Sequence, residues 1–385
     1  MSSECPVCNS RRTALIISRK NTPVHQNLLM SGPSEARSIT RADLEIMCCQ
    51  ECGFVFISDF DIGKLSYGDQ YDNNQTCSST FQVHLNQLVD RILGDERNQN
   101  CRFVEVGCGQ GQFLRRLIEE GLDNTGTGFD PSYTGPAHLM DGRLNFEKRY
   151  YDSNCAEVPA DVVVCRHVIE HVPKPLDLLK SVREALSNSP GARLYFETPC
   201  VEWIFRNRVV WDFFYEHCSL FSAESLRRVF EVSGFEVTHV DHIFDDQYLW
   251  LEAVVGTPVK TNSGSSNVLK LAQAYSEAED AILENWKQRI LGLKSQGLVA
   301  LWGAGAKGVT FANLVDPNCQ LLECVVDLNP NKQGKFIPGT GHPIIDYKEL
   351  GSRNIKSVIL MNPNYLSENQ AFLQQAGLEN IQLFD

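Results

Sequence analysis

Three glycines at alternating positions, Gly107, Gly109 and Gly111, follow directly on the apolar run Phe103-Val104-Glu105-Val106 and lead into an amphipathic stretch through Leu117 and Ile118. That order predicts strand, tight turn and helix in succession. Glycine lets the backbone approach a ligand where any Cβ would clash, and the helix that begins here presents unpaired N–H groups to it. The loop therefore reads as a nucleotide-cofactor loop. Its spacing is not the G-x-G-x-x-G of dinucleotide sites. Glu105, two residues before the first glycine, suits a cationic ligand better than a pyrophosphate, since it can accept from an ammonium group.

A second strand is expected at Asn124-Thr125-Gly126-Thr127-Gly128-Phe129, ending at Asp130. Nucleotide-binding α/β folds place there the carboxylate that takes the ribose hydroxyls. With E-x-G-x-G-x-G and this acid in register, the stretch from Phe81 to Val255 resembles the class I methyltransferases that use S-adenosylmethionine. The polar, aromatic segment 67–75 lies just upstream, where such enzymes often carry a lid, and Tyr71 is the candidate lid residue. Asp161-Val162-Val163-Val164-Cys165 reads as a buried strand. Arg166 and His167 leave its carboxyl end, the edge at which open α/β sheets bind ligands, and are candidates for the cofactor's methionine portion. The run His167 to His171 also matches H-x-x-E-H, a zinc peptidase pattern; Pro173 and Pro175 cut short the helix that pattern needs.

At 385 residues the chain is too long for one core and predicts two or three domains. A formal net charge of −13 with no basic cluster argues against a nucleic-acid or anionic-membrane surface. The first ten residues have neither a charged nor an apolar signal region, and no run approaches the length of a membrane span, so a cytoplasmic location is expected. Cysteines there are mostly reduced. Four of the fourteen form two C-x-x-C knuckles, Cys5/Cys8 and Cys49/Cys52, the spacing that turns two thiolates toward one tetrahedral ion. A closed, structural zinc site is expected, with Cys48 or His25 as possible replacements for one ligand.

The densest chemical cluster is Trp211-Asp212-Phe213-Phe214-Tyr215-Glu216-His217-Cys218, where Tyr, Glu and His stand together among aromatics, as a general base with a tuned pKa requires. Ser222 reads as the N-cap of the next helix. Residues 235–244 and 247–255 predict an antiparallel strand pair, and 257–267 a linker. Apolar residues from Leu271 to Leu293 at spacings of three and four predict one long helix. A strand at 298–302 then runs into Gly303-Ala304-Gly305-Ala306-Lys307-Gly308, a true G-x-G-x-x-G, with Asp327 at the distance of a ribose-binding acid. Taken locally that is a dinucleotide site, so an NAD-linked oxidoreductase stays open; close packing of strand on helix explains the glycines equally well.

In this order the knuckles, the cofactor loop, the Glu216-His217-Cys218-Ser219-Leu220-Phe221-Ser222 segment and the last glycine turn with Val326 to Lys335 resemble the sugar C-methyltransferases of deoxysugar biosynthesis, over nearly the whole chain. The resemblance implies an α/β protein with a zinc-binding domain at 1–66, a class I methyltransferase domain with a Rossmann-like sheet at 67–260, and a long helix plus Rossmann-like substrate domain at 261–385. It implies methylation of a carbon beside a keto group on a nucleotide-linked sugar, with His217 as base, Glu216 orienting it or binding substrate, and Gly305 and Lys307 facing the nucleotide's phosphates. S-adenosylmethionine and structural zinc are the expected cofactors, and a monomer or homodimer the expected state. Where the family reads Y-H-E-H, this chain has Phe214-Tyr215-Glu216-His217. Tyr215 is the candidate to replace the phenol missing at Phe214, on condition that the backbone shifts. An O-methyl acceptor or a non-sugar ketone is the alternative substrate.

Overall fold

The computed structural model describes residues 4–65, 71–72, 77–259 and 267–385. Both junctions between the expected domains, at 66/67 and 260/261, most of the 67–75 lid segment and most of the 257–267 linker lie outside these residues. Three sheets organise the described residues. The central one has eight strands, in spatial order Phe235–Ile243, Tyr248–Val255, Arg193–Pro199, Val162–Arg166, Arg102–Val106, Thr125–Phe129, Leu144–Glu147 and His138–Leu139. The middle five pair in parallel and the outer members antiparallel. Val162, Val163 and Val164 are fully buried, which a strand covered on both faces requires.

A second sheet is antiparallel and has four strands: Thr13–Pro23, Arg41–Cys49, Val55–Ile57 and Ser219–Leu220. Its last strand comes from the region just after His217. The N-terminal sheet is thus completed by the segment that carries the candidate base. The third sheet is wholly parallel, in the order Ile344–Ile345, Cys324–Val326, Leu298–Trp302, Ile355–Leu360 and Gln382–Phe384.

Helix boundaries follow local chemistry. The Ser222 side chain accepts from the N–H of Ser225 and opens the helix Ala223–Val232 through a capping box. The long helix Val268–Lys294 forms as a single element. One apolar core joins all three regions: Leu44 and Ile46 of the N-terminal sheet, Trp211 and Phe213 beside the candidate base, and Tyr275 and Ile290 of the long helix. No helix among the described residues is long and apolar enough to cross a membrane.

Candidate active site

The glycine loop has the backbone its spacing requires. Gly107, Gly109 and Gly111 all have positive φ, at 72°, 53° and 77°. A Cβ at Gly111 would fall 2.3 Å from the Phe146 ring, whereas nothing lies within 4 Å of a Cβ at Gly109. Gly111 is therefore fixed by packing, and Gly109 leaves open space on the loop. Asp130 reaches across to this turn and accepts from the Gly109 N–H at 2.9 Å, while Ser132 donates to its other oxygen. Glu105 is buried below the loop and accepts from the N–H of Leu114 at 3.1 Å, in the first turn of the helix Gln112–Glu120. Burial pushes its carboxyl up to about 8, against the partial pull of the Arg166 guanidinium. A neutral acid is the resting form that an incoming cation would ionise.

At the carboxyl ends of Val162–Arg166 and Arg193–Pro199 the charges interlock. Glu197 is fully buried and takes Arg166 Nε at 2.7 Å and His84 Nε2 at 2.7 Å. Burial alone would raise the Glu197 carboxyl, but Arg166 and His167 hold it well below the usual range. The Arg166 guanidinium stacks 4.4 Å from the centre of the Phe113 ring at the start of the loop helix. His167 is held in the left-handed region, at φ 53°, with Nδ1 3.2 Å from Glu170. Burial would lower its pKa, yet Glu197 and Glu170 raise it to about 9, so it stands protonated. Sequence reading passed over Glu197 and His84. The available signal was an acid inside the buried run Leu194-Tyr195-Phe196-Glu197-Thr198, the same anomaly that marks Glu105.

A cavity of about 240 Å³ opens beside these groups, between the central sheet, residue Asn27 of the N-terminal region and the glycine turn of the third sheet. Tyr71, His167, Glu216, His217, Gly305 and Lys307 line it, and Glu105, the glycine loop, Asp130 and Arg166 do not. His217 meets the His171 ring edge to face at 4.8 Å and lies 4.1 Å from the ring of Phe214. Burial, with His171, His167 and Lys307 nearby, keeps its pKa well below the ordinary value, so its imidazole is neutral. Glu216 is fully buried, and its Oε2 accepts from the backbone N–H of Gln26 at 2.9 Å. Tyr71 forms a bridge with Leu28, and the neighbouring Asp72 donates its N–H to Asn27.

One expectation needs correction, and the alternatives at two other places fall away. Tyr215 turns away from the cavity: its buried phenol oxygen accepts from the N–H of Asp61 at 2.8 Å and its ring packs on Phe60. With its ring and hydroxyl taken up by Phe60 and Asp61, Tyr215 cannot stand in for a phenol at Phe214. The peptidase reading of H-x-x-E-H fails because 169–171 is one 3-10 turn, and His167 faces Glu170 and Glu197 instead of pairing with His171. His25 is not a cysteine-site ligand either, since its Nδ1 lies 3.7 Å from Glu216, and Cys48 stands outside the thiolate group.

The four knuckle sulfurs do converge, all within 4.8 Å of one another, with Cys5 to Cys52 at 3.6 Å and Cys8 to Cys49 at 3.5 Å. Four ligands about 2.3 Å from a tetrahedral zinc lie roughly 3.8 Å apart, so the donor set and its spacing fit that ion. In the third sheet, a Cβ at Gly308 would fall 1.9 Å from the carbonyl oxygen of Gly303. Asp327 accepts from the N–H groups of Ala304 and Asn329 at 2.8 and 2.9 Å. The last glycine of this G-x-G-x-x-G is thus accounted for by strand-on-helix packing. Lys307 reaches back to Asp212 at 2.9 Å and ties the turn to the segment before the candidate base.

A methyltransferase domain model matches residues 80–240, and a C-methyltransferase C-terminal domain model matches 262–380. The C-methyltransferase NovU of Streptomyces niveus is 22% identical over 401 aligned residues, covering 97% of this chain and 94% of its own. The ubiquinone biosynthesis O-methyltransferase of Yersinia pestis (strain Pestoides F) is 27% identical over 122 residues, 30% of this chain, which spans 48% of that enzyme's length. Among solved structures, magnesium protoporphyrin IX methyltransferase from Synechocystis PCC 6803 superposes with a TM-score of 0.37 at 17% identity, over 49% of this chain and 91% of its own. With a methyltransferase domain and a C-methyltransferase C-terminal domain both matched, and a C-methyltransferase similar to it almost end to end, the chain is an S-adenosylmethionine-dependent methyltransferase that resembles the C-methyltransferases.

Proposed function

We propose that the protein methylates a carbon beside a keto group of a nucleotide-linked deoxysugar, through an enolate formed by His217. The observation that carries this reading is a neutral imidazole on the wall of a cavity that also reaches the glycine turn of the third sheet. S-adenosylmethionine supplies an activated methyl group on a sulfonium. His217 takes the proton from the carbon made acidic by the neighbouring carbonyl, and Glu216, fixed by the Gln26 N–H, holds that side of the site in place. Protonated His167 lies on the same wall and favours the negative charge that develops on the enolate oxygen. Alignment in a partly dry cavity supplies much of the rate, because the methyl donor is already reactive. The NovU match supports methylation at carbon, and Gly305 with Lys307 is the candidate contact for the nucleotide's phosphates. Glu105, Asp130 and the loop at 107–111 are the candidate cofactor contacts, with Arg166 and Tyr71 at its margins. Cys5, Cys8, Cys49 and Cys52 hold a structural zinc.

The test is exchange of the acidic substrate proton with heavy water in the presence of S-adenosylhomocysteine, using 4-keto nucleotide sugars as a panel. The wild type exchanges, and His217→Ala binds S-adenosylhomocysteine normally but loses both exchange and methyl transfer by about a hundredfold or more. Exchange at the wild-type rate in His217→Ala would remove it from the role. Failure of every nucleotide sugar would redirect the search to non-sugar ketones.

A further inference from the structure

The H-x-x-E-H run leaves a cluster that base catalysis does not fully use. Glu170 and His171 end the turn Ile169–His171, and His217 stands opposite them. One possible ligand atom from each of Glu170, His171 and His217 lies within 4.8 Å of the other two. All three residues line the 240 Å³ cavity. Two contacts fix the segments against each other: Cys218 Sγ donates to the Glu170 carbonyl at 3.7 Å, and Ser219 Oγ to the Val172 carbonyl at 2.7 Å. The Glu170 carboxylate is oriented by Thr198 Oγ1 at 3.1 Å and by His167 Nδ1 at 3.2 Å. His171 differs, because its Nδ1 is buried with no hydrogen-bond partner among the described residues. A buried polar atom left without a partner is destabilising, and a bound ion is one of the few things that would account for it.

We propose that Glu170, His171 and His217 form a site for one divalent transition-metal ion, separate from the cysteine cluster. Two imidazole nitrogens and a carboxylate oxygen are a borderline donor set that favours zinc, cobalt or nickel over magnesium or calcium. Three protein ligands leave a coordination position facing the cavity, unlike the closed four-thiolate site. The contacts from Thr198 and His167 to Glu170 are the outer partners that orient a ligating carboxylate. Occupancy has a consequence that rests on the base reading above: a neutral imidazole nitrogen has one lone pair, so His217 bound to the ion cannot take the substrate's proton. The ion is therefore an inhibitor of methyl transfer.

The experiment titrates cobalt(II) into full-length protein whose cysteine site is already filled with zinc, following visible absorption and equilibrium dialysis. One further equivalent of cobalt binds. Its affinity falls at least about tenfold in both His171→Ala and His217→Gln, each checked for native folding by circular dichroism. Methyl transfer by the wild type falls as cobalt binds and returns on chelation. Cys200, Glu202 and His242 form a rival cluster nearer the surface, and His242→Ala leaves the cobalt affinity unchanged. No further equivalent, an affinity indifferent to both His171→Ala and His217→Gln, or loss of binding in His242→Ala overturns the proposal. Full binding with undiminished turnover upholds the metal site and instead removes His217 as the base.

Discussion

Glu105 shows how one buried side chain sets a pH dependence. Its carboxyl is raised from 4.5 to about 8, mainly by burial, so the folded protein keeps a proton that the unfolded chain releases. Stability then falls as pH rises from about 4.5 towards about 8 and stays low above that. Each unit of difference is worth about 1.4 kcal/mol, which makes the whole effect a few kcal/mol. Glu105→Gln, which keeps an acceptor for the Leu114 N–H, is expected to flatten that decline. Thermal unfolding of both proteins across the window checks it, and parallel curves would mean that Glu105 is ionised in the fold. At the same scale, Phe214 faces the cavity and its neighbour Tyr215 faces Phe60. The cluster of reactive residue types was legible in the sequence; which of two adjacent rings enters the site was not, because a one-residue change of facing reverses it.

Among the elements, the two glycine turns look alike in sequence and differ in what their glycines do. Gly109 has φ 53° and free space where a Cβ would stand, whereas a Cβ at Gly308 would overlap the Gly303 carbonyl at 1.9 Å. Gly109→Ala carries a left-handed strain of about 1–2 kcal/mol and places a methyl on the cofactor side of the loop. It is expected to weaken S-adenosylhomocysteine binding by tenfold or more with only a small loss of thermal stability. Gly308→Ala must move the helix Ala306–Val315 off its strand, and is expected to cost several kcal/mol of stability. Calorimetric titration beside thermal unfolding separates the two; equal effects on both readouts would show that the turns serve the same purpose.

Across the whole molecule, the N-terminal sheet is built into the site. Arg19, 7% exposed, pairs with Glu279 of the long helix at 2.5 Å and donates to the carbonyls of Phe213 and Val210. Arg19→Ala leaves Glu279 without its partner and two carbonyls without donors, at about 3–5 kcal/mol, and is expected to lower melting temperature and turnover together. Unchanged turnover would mean that the 210–213 segment keeps its place without Arg19. Because Gln26, just past the first strand of that sheet, donates its backbone N–H to Glu216, stripping metal from the cysteine cluster is expected to release one zinc, leave S-adenosylhomocysteine affinity near normal and depress turnover. A chelator with a colorimetric zinc assay measures release, and turnover that survives full zinc loss would uncouple this sheet from the chemistry.

The sequence by itself determined what short spacings control. The strand, glycine turn and helix at 102–120, each C-x-x-C knuckle, the capping box at Ser222, the antiparallel pair at 235–255 and the long helix at 268–294 follow from residues near one another in the chain. Only the tertiary structure decided which distant residues share a site. Glu197 meets Arg166 and His84 from three separate elements, Lys307 joins Asp212 across 95 positions, and the N-terminal sheet borrows Ser219–Leu220 as its last strand. Such contacts depend on the order in which strands enter a sheet and on which face each side chain takes. A pattern of local periodicity carries neither.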